Sequence, residues 1–354
     1  MTITRIFSDN KIIKEEKTAK SKKRILTGDR PTGQLHLGHY VGTLKSRVKL
    51  QEKYDCFFII ADLQVLTDHL ESYANVENNV FEVMCDYLGV GLHPNNTFFI
   101  QSQIPELAEL SMYFSFLVNV SHLQQNPTIK DEARTYGVKN MSYGFLGYPI
   151  SQAADILAFK ADLVPVGQDQ LPHIQQTREI TRSFNRVFGR RVFNLPEAIL
   201  GECPVLIGTD GKNKMSKSLD NFIAFAHSSE ETERRILNMF TDPKRVYYKD
   251  AGHPDECLAF KYYCLFTSVN ASVVQQECET SSRGCKECKK QLAQQINEDL
   301  VEIRERRQYY ISQPELVWDI LAKGTIRARK IVADTLEEVR NAMRLSFPQI
   351  KLRE

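Results

Sequence analysis

At 354 residues, 42% of them apolar and 25% charged, with a formal net charge of +2, the chain can bury a sizeable core in one large domain and one smaller one. The near-neutral balance excludes a global polyanion-binding field, so any nucleic-acid contact must come from local clusters of Lys and Arg. Apolar runs such as Cys56–Ala61 fall far short of the roughly 20 residues that cross a bilayer, so no membrane anchor is expected.

Residues 1–23 mix basic and acidic side chains without the apolar centre of an export signal; they read as a solvated, partly helical extension of a cytoplasmic protein. "RILTG" then predicts a short buried strand, "DRPTGQ" a turn, and His36 to Glu52 an amphipathic helix with Leu37, Val41, Leu44 and Val48 on one side. "CFFIIADLQVLT" predicts a second strand, followed by a helix carrying Val80, Phe81, Met84, Cys85 and Leu88. "TFFIQSQI" predicts a third strand, with helix after Pro105. "QAADILAFKADLVPVGQDQ" reads as a helix entering the strand "LVPVG", and "QDQLPHIQQTREITRSFN" opens another helix. Strands alternating with helices imply an α/β fold, a doubly wound parallel sheet of Rossmann-like type with ligands outside the carboxyl ends of its strands. Beyond residue 226 the patterns are helical, so the chain divides into an extension (1–23), a catalytic domain (24–225) and a helical domain (226–354) whose last helix can pack back on the first.

Two short motifs carry chemistry. In "HLGH", His36 and His39 flank Gly38 at a helix start, where imidazoles could ligate metal, act as a base, or join the backbone N–H groups in holding phosphate oxygens. "DGKNKMSKSLDN" sets Lys212, Lys214 and Lys217 in a loop suited to developing phosphate charge.

Together, "GDRPTG", "HLGHYVG", "YPISQAADIL", "VPVGQDQ" and "KMSKS" make residues 24 to 350 resemble a bacterial-type tryptophanyl-tRNA synthetase of class I; the tyrosyl enzymes share the fold, but "QAADIL" with "DLVPVGQDQ" looks tryptophanyl. The resemblance implies a homodimer that activates L-tryptophan with ATP and Mg²⁺, releases pyrophosphate and passes tryptophan to the 3′ end of tRNA(Trp), with anticodon contacts in the helical domain. It implies catalytic roles for His36, His39, Lys214 and Lys217. ATP contacts fall to Arg30, Pro31, Thr32, Gly38, His39, Gly167, Gln168, Asp169, Val205, Leu206, Lys214, Met215, Ser216, Lys217 and Ser218. Gly38 is expected to let a flat base lie against the backbone. Asp155 is the expected acceptor for the indole N–H, with Tyr148 and Gln170 at the ammonium and carboxylate ends. Two departures, Gln152 where a Met is common and Gln64 where a His is common, imply a more polar pocket touched by one or both glutamines. An inactive tRNA-binding paralogue and another nucleotidyltransferase on this fold are the competing classes.

Eight cysteines without an export signal point to reduced thiols or metal. Cys56, Cys85 and Cys203 lie among apolar residues and read as buried. Cys257, Cys278, Cys285 and Cys288 are spaced C-x20-C-x6-C-x2-C, with Cys264 inside. That asymmetric run fits a 4Fe-4S cluster better than zinc, and some members of the resembled family carry such a cluster at similar spacing. A cluster there would pin "ETSSRGCKECKKQ" and turn Arg283, Lys286, Lys289 and Lys290 toward tRNA phosphates.

Overall fold

The computed structural model describes residues 22–67, 70–135, 137–200, 205–266, 270–347 and 349; most of the N-terminal extension and Cys203 lie outside the described residues. Five parallel strands, β1 (Arg24–Asp29), β2 (Asp55–Ile60), β3 (Thr97–Ile100), β4 (Leu163–Val166) and β5 (Glu197–Leu200), form one sheet in the order β3-β2-β1-β4-β5. Alternate strand residues enter opposite layers, as the period of two requires. Ile25, Cys56, Phe58, Ile60 and Phe98 pack with Val80, Met84 and Leu300 on one face. Leu26, Phe57, Ile59 and Phe99 pack with Leu107, Ala154 and Ile180 on the other. Burial on both faces explains why these strands are continuous apolar runs.

The strand order reverses between β1 and β4, which share the single register pair Ile25 with Leu163. Further along, the Thr27 hydroxyl donates to the Pro165 carbonyl at 3.1 Å. Pro165 has no N–H to give to a neighbouring strand, so the crevice opens at this switch point.

Several elements end differently from the pattern. β2 stops at Ile60, and "DLQV" forms the short helix Asp62–Val65. β3 stops at Ile100 and gives way to a 3-10 turn over Gln101–Gln103. The helix expected from His36 to Glu52 begins at Leu37, passes through a π turn at Tyr40–Leu44, and ends at Leu50, with His36 as its extended cap. β5 was not expected: four partly exposed residues at a sheet edge carry little apolar signal.

The helix Pro314–Ala342 runs across the opposite edge, covering β3. Val317 and Leu321 join the first apolar layer, and Ala328, Val332 and Val339 the second. At the crossing Gly324 lies so close that a Cβ would stand 1.9 Å from the Phe98 carbonyl oxygen. A long helix over an edge strand blocks sheet extension. Among the described residues no helix is long and apolar enough to cross a membrane.

Candidate active site

The HLGH turn is built by hydrogen bonds internal to the motif. His36 is extended and nearly buried; its Nδ1 accepts from Gly38 N–H at 3.1 Å, and His39 Nδ1 accepts from His36 N–H at 3.2 Å. The two rings sit 3.9 Å apart, tilted by 50°. With each δ nitrogen accepting, the proton of each neutral ring is on Nε2, leaving two donors. Burial, then the facing charges, keeps both rings neutral: His36 is pushed far below the usual imidazole range, and His39 down to about 4 although Asp29 opposes. Gly38 has a role not anticipated from the motif: a Cβ there would press within 3.0 Å of the His36 ring that caps the helix.

The lysine loop is stapled shut. Met215 N–H donates to Leu206 O at 2.9 Å, and the buried Asn221 side chain accepts from Ser216 N–H at 2.7 Å while donating to Lys214 O at 3.2 Å. Met215 and Leu206 are thereby buried, whereas Val205, Lys212, Lys214 and Ser218 are exposed; the Ser218 hydroxyl stands 2.8 Å from that of Ser216. Lys217 turns inward and donates from Nζ to Thr32 Oγ1 at 3.0 Å, joining this loop to "GDRPTG" across 185 residues. Burial pushes the Lys217 ammonium down to about 8, with Asp29 and Asp86 opposing. In the same turn Arg30 is half-buried, Pro31 is buried, and Gly33 adopts a φ of +118° that favours glycine. Asp29, which sequence reasoning passed over, accepts from Arg47 at 2.6 Å and from Tyr87 OH at 2.7 Å. Burial acts against its charge, but Arg47, His39 and Tyr87 hold its carboxyl down to about 2.

The amino-acid side centres on Asp155, buried on the helix Tyr143–Ala158. Its Oδ2 accepts from Gln101 Nε2 at 2.8 Å, while its Oδ1 and the Gln101 Oε1 are buried without a protein partner. Burial pushes the carboxyl up to about 7, helped by the charge of Asp62. A buried acceptor left over in this way is suited to a donor brought by a ligand. Gln101 was missed; its signal was a polar residue directly after a buried strand, at the carboxyl end of the sheet. Tyr148 OH donates to Glu132 Oε2 at 2.7 Å and lies 2.8 Å from Nε2 of the buried His173, two further partners not foreseen. Gln152 Nε2 donates to Gln170 Oε1 at 3.3 Å, and Gln170 Nε2 to Asp169 Oδ2 at 3.0 Å. Gly167 leads into this turn, where a Cβ would meet the Asp169 carboxylate at 2.6 Å; Gln168 is exposed. Gln64 is buried on the short helix Asp62–Val65, which packs on the turn carrying Gln101.

Cys257, Cys278, Cys285 and Cys288 line one small cavity, together with Arg245, Arg283 and Lys289. Gly252 abuts it so closely that a Cβ would lie 2.3 Å from Cys278 Sγ. Burial pushes the Cys288 thiol up to about 11. Among the described residues no group of three or more His, Cys, Asp or Glu side chains is placed so that it could hold a metal ion. Cys264 is exposed and outside the cavity lining, and burial pushes the Cys56 and Cys85 thiols up to about 12. The expectation that Lys289 faces tRNA is overturned: it is buried, and Nζ donates to Leu237 O at 2.8 Å and Met239 O at 2.6 Å. Arg283 is ion-paired to Glu277 and its side chain is largely buried, so of the four cations only Lys286 and Lys290 are exposed.

The family model described as "tRNA synthetases class I (W and Y)" matches residues 17–301. The tryptophan–tRNA ligase of Streptococcus pneumoniae is 44% identical over 338 residues, 92% of this chain and 99% of that protein. That of Clostridium longisporum is 43% identical over 92% of this chain and 98% of its own. A crystal structure of tryptophanyl-tRNA synthetase from Campylobacter jejuni, complexed with ADP and tryptophan, superposes with a TM-score of 0.80 at 31% identity, covering 90% of this chain and 99% of that one. With its motifs converging at the switch point of the same parallel sheet, the chain belongs to the class I aminoacyl-tRNA synthetases, among the tryptophan–tRNA ligases.

Proposed function

We propose that the cleft forms tryptophanyl-AMP from tryptophan and ATP, and that the chain then transfers tryptophan to the 3′ end of tRNA(Trp). The observation that carries this reading is the joining of two segments far apart in the sequence: Lys217 of the lysine loop reaches Thr32, in the turn that leads directly into the paired imidazoles. In adenylate formation the tryptophan carboxylate oxygen attacks the α-phosphorus, the P–O bond to the β-phosphate breaks, and pyrophosphate leaves. No protein nucleophile is required. The neutral Nε2 donors of His36 and His39 hold phosphate oxygens, and Lys217, with the exposed Lys214, offsets the charge that develops on the leaving group. Mg²⁺ accompanies the nucleotide and neutralises pyrophosphate. Arg30, Pro31 and Thr32 line the nucleotide side, Gly167 to Asp169 its ribose side, and Val205 and Leu206 the adenine side.

Tryptophan recognition rests on the unpartnered Oδ1 of Asp155, held by Gln101, as acceptor for the indole N–H. Tyr148, Gln152, Gln170 and Gln64 complete that pocket. The test is tryptophan-dependent exchange of pyrophosphate into ATP: His39→Ala slows exchange by about 10²-fold while tryptophan binding stays within about 2-fold. An equal loss in both would refute the assignment.

The four cysteines fit a 4Fe-4S cluster better than zinc. The support is their spacing, C-x20-C-x6-C-x2-C, and their convergence on one cavity. Arg245 and Arg283 beside the cavity suit the negative charge of a thiolate-bound cluster. Its role is structural, tying Cys257 and Cys278 to the start of the helix Cys285–Ile311. Residues 24–225 serve as catalytic domain and 226–354 as tRNA-binding domain, with Lys286 and Lys290 toward RNA phosphates. The family implies a homodimer, and the exposed apolar side chains Met112, Phe116 and Val120 are available for such a contact.

A further inference from the structure

One buried carboxyl links the helical half of the chain to the HLGH turn. Asp86, fully buried on the helix Val76–Gly89, accepts from Leu35 N–H through Oδ2 at 2.6 Å and from Arg307 Nε through Oδ1 at 2.6 Å. Arg307 projects from the helix Cys285–Ile311, is itself buried, and pairs its other arm with Glu82. The backbone donor adjoining His36 is therefore held by a carboxylate whose counter-charge comes from 221 residues further along.

We propose that Asp86 and Arg307 are positioning residues for adenylate formation: the pair fixes Leu35, and through it the extended His36 and the two adjoining imidazoles. The proposal rests on the reading of those imidazoles as phosphate donors. Asp86 touches no reacting atom; it sets the angle at which the chain enters the helix. The geometry is economical in space. Leu35 N–H lies in a fully buried setting, so without Asp86 it would be an orphaned donor and the turn would shift to find another acceptor. Asp86 also faces Lys217 from the lysine loop, and Glu82 and Cys85 from its own helix, besides Arg307. Burial pushes its carboxyl up to about 6, with Arg307 opposing, so it is the ionised acceptor at neutral pH.

A merely structural bridge between helices predicts something different. Replacing a buried ion pair by apolar groups of similar size is often neutral or stabilising, so Asp86→Leu/Arg307→Met keeps the packing but leaves Leu35 N–H unpaired. The variant is expected to fold with a Tm a few degrees below the parent, because Leu35 N–H and Glu82 lose their partners, and to bind tryptophan equally well, with kcat for pyrophosphate exchange lower by about 10²-fold and KM for ATP within about 2-fold. Parental kcat in this variant would overturn the proposal. If the double variant does not fold, Arg307→Met alone decides. Without its cation Asp86 protonates more readily, so the fall of kcat at low pH moves to higher pH, and Arg307→Lys moves it back. A profile coincident with the parent's would overturn the proposal. Exchange by the parent separates the two layers: a parent without exchange removes the functional reading and this pairing together, while an active parent matched by the double variant removes the pairing alone.

Discussion

Asp155 keeps one oxygen for a ligand and gives the other to Gln101, and its carboxyl is raised to about 7 by burial. The indole donor needs the ionised acceptor, so KM for tryptophan is expected to rise about tenfold between pH 8 and pH 6, and Asp155→Asn to raise KM and flatten that dependence. Initial rates of exchange across this range check both; a pH-independent KM in the parent would contradict the role. The same raised carboxyl makes the free protein lose stability as pH climbs from the unfolded value near 3.8 through 7, because the unfolded chain ionises first. Lys217 has the opposite sign. Its ammonium, lowered to about 8 by burial, is lost as pH rises, so kcat/KM for ATP should fall above about pH 8, and Lys217→Arg should extend the plateau upward. Both residues were legible in the sequence because each stands in a short motif with a chemical reason for its type. Gln101, Asp29 and Asp86 were not. Their partners lie 54, 18 and 221 residues away, and no local period reports a bond of that kind.

At the scale of elements, the alternation of strand and helix was readable because β1 to β4 are buried on both faces, as β5 is not. The ends were not: Ala61 and Gln101, which follow β2 and β3, are still buried, so burial runs past the last residue of each strand. The helix Pro314–Ala342 was visible as a helix, but its seat over β3 depends on one close approach. Gly324→Ala would drive a methyl into the Phe98 carbonyl, and the helix must lift from the edge to relieve it. A loss of about 1–3 kcal/mol is expected, read as a lower Tm with the exchange activity per folded molecule retained. An unchanged Tm would mean the helix is seated elsewhere. The helix Cys285–Ile311 has a different task. From Cys285 to Arg307 it spans about 33 Å as one rod, with the cysteine cavity at one end and Asp86 near the other.

For the whole molecule, the two apolar layers predict how the chain unfolds. The first contains Ile25, Phe58 and Phe98 from the sheet with Tyr262, Leu292 and Leu300 from the later helices, and the second ends in Val332 and Val339. A boundary near residue 226 marks a change of pattern, but no break in the buried apolar contacts. Ion pairs of Arg327 with Asp55, Arg329 with Glu106 and Arg340 with Glu109 also join the last helix to the sheet region, though partly exposed pairs of this kind each contribute under about 1 kcal/mol. Burial dominates, so the sheet region and the later helices should unfold together. The sequence provides the probe, because Trp318 is the only tryptophan and lies 6.0 Å from Phe81, where the last helix meets the helix Val76–Gly89. In urea, Trp318 fluorescence and far-ultraviolet circular dichroism are expected to share one midpoint. A fluorescence transition that comes first would show the last helix undocking from an intact sheet, and removal of residues 313–354 would then leave a soluble, folded protein. With a common midpoint the same truncation exposes the edge of β3 and the Phe98 and Phe99 layers, and the product should aggregate.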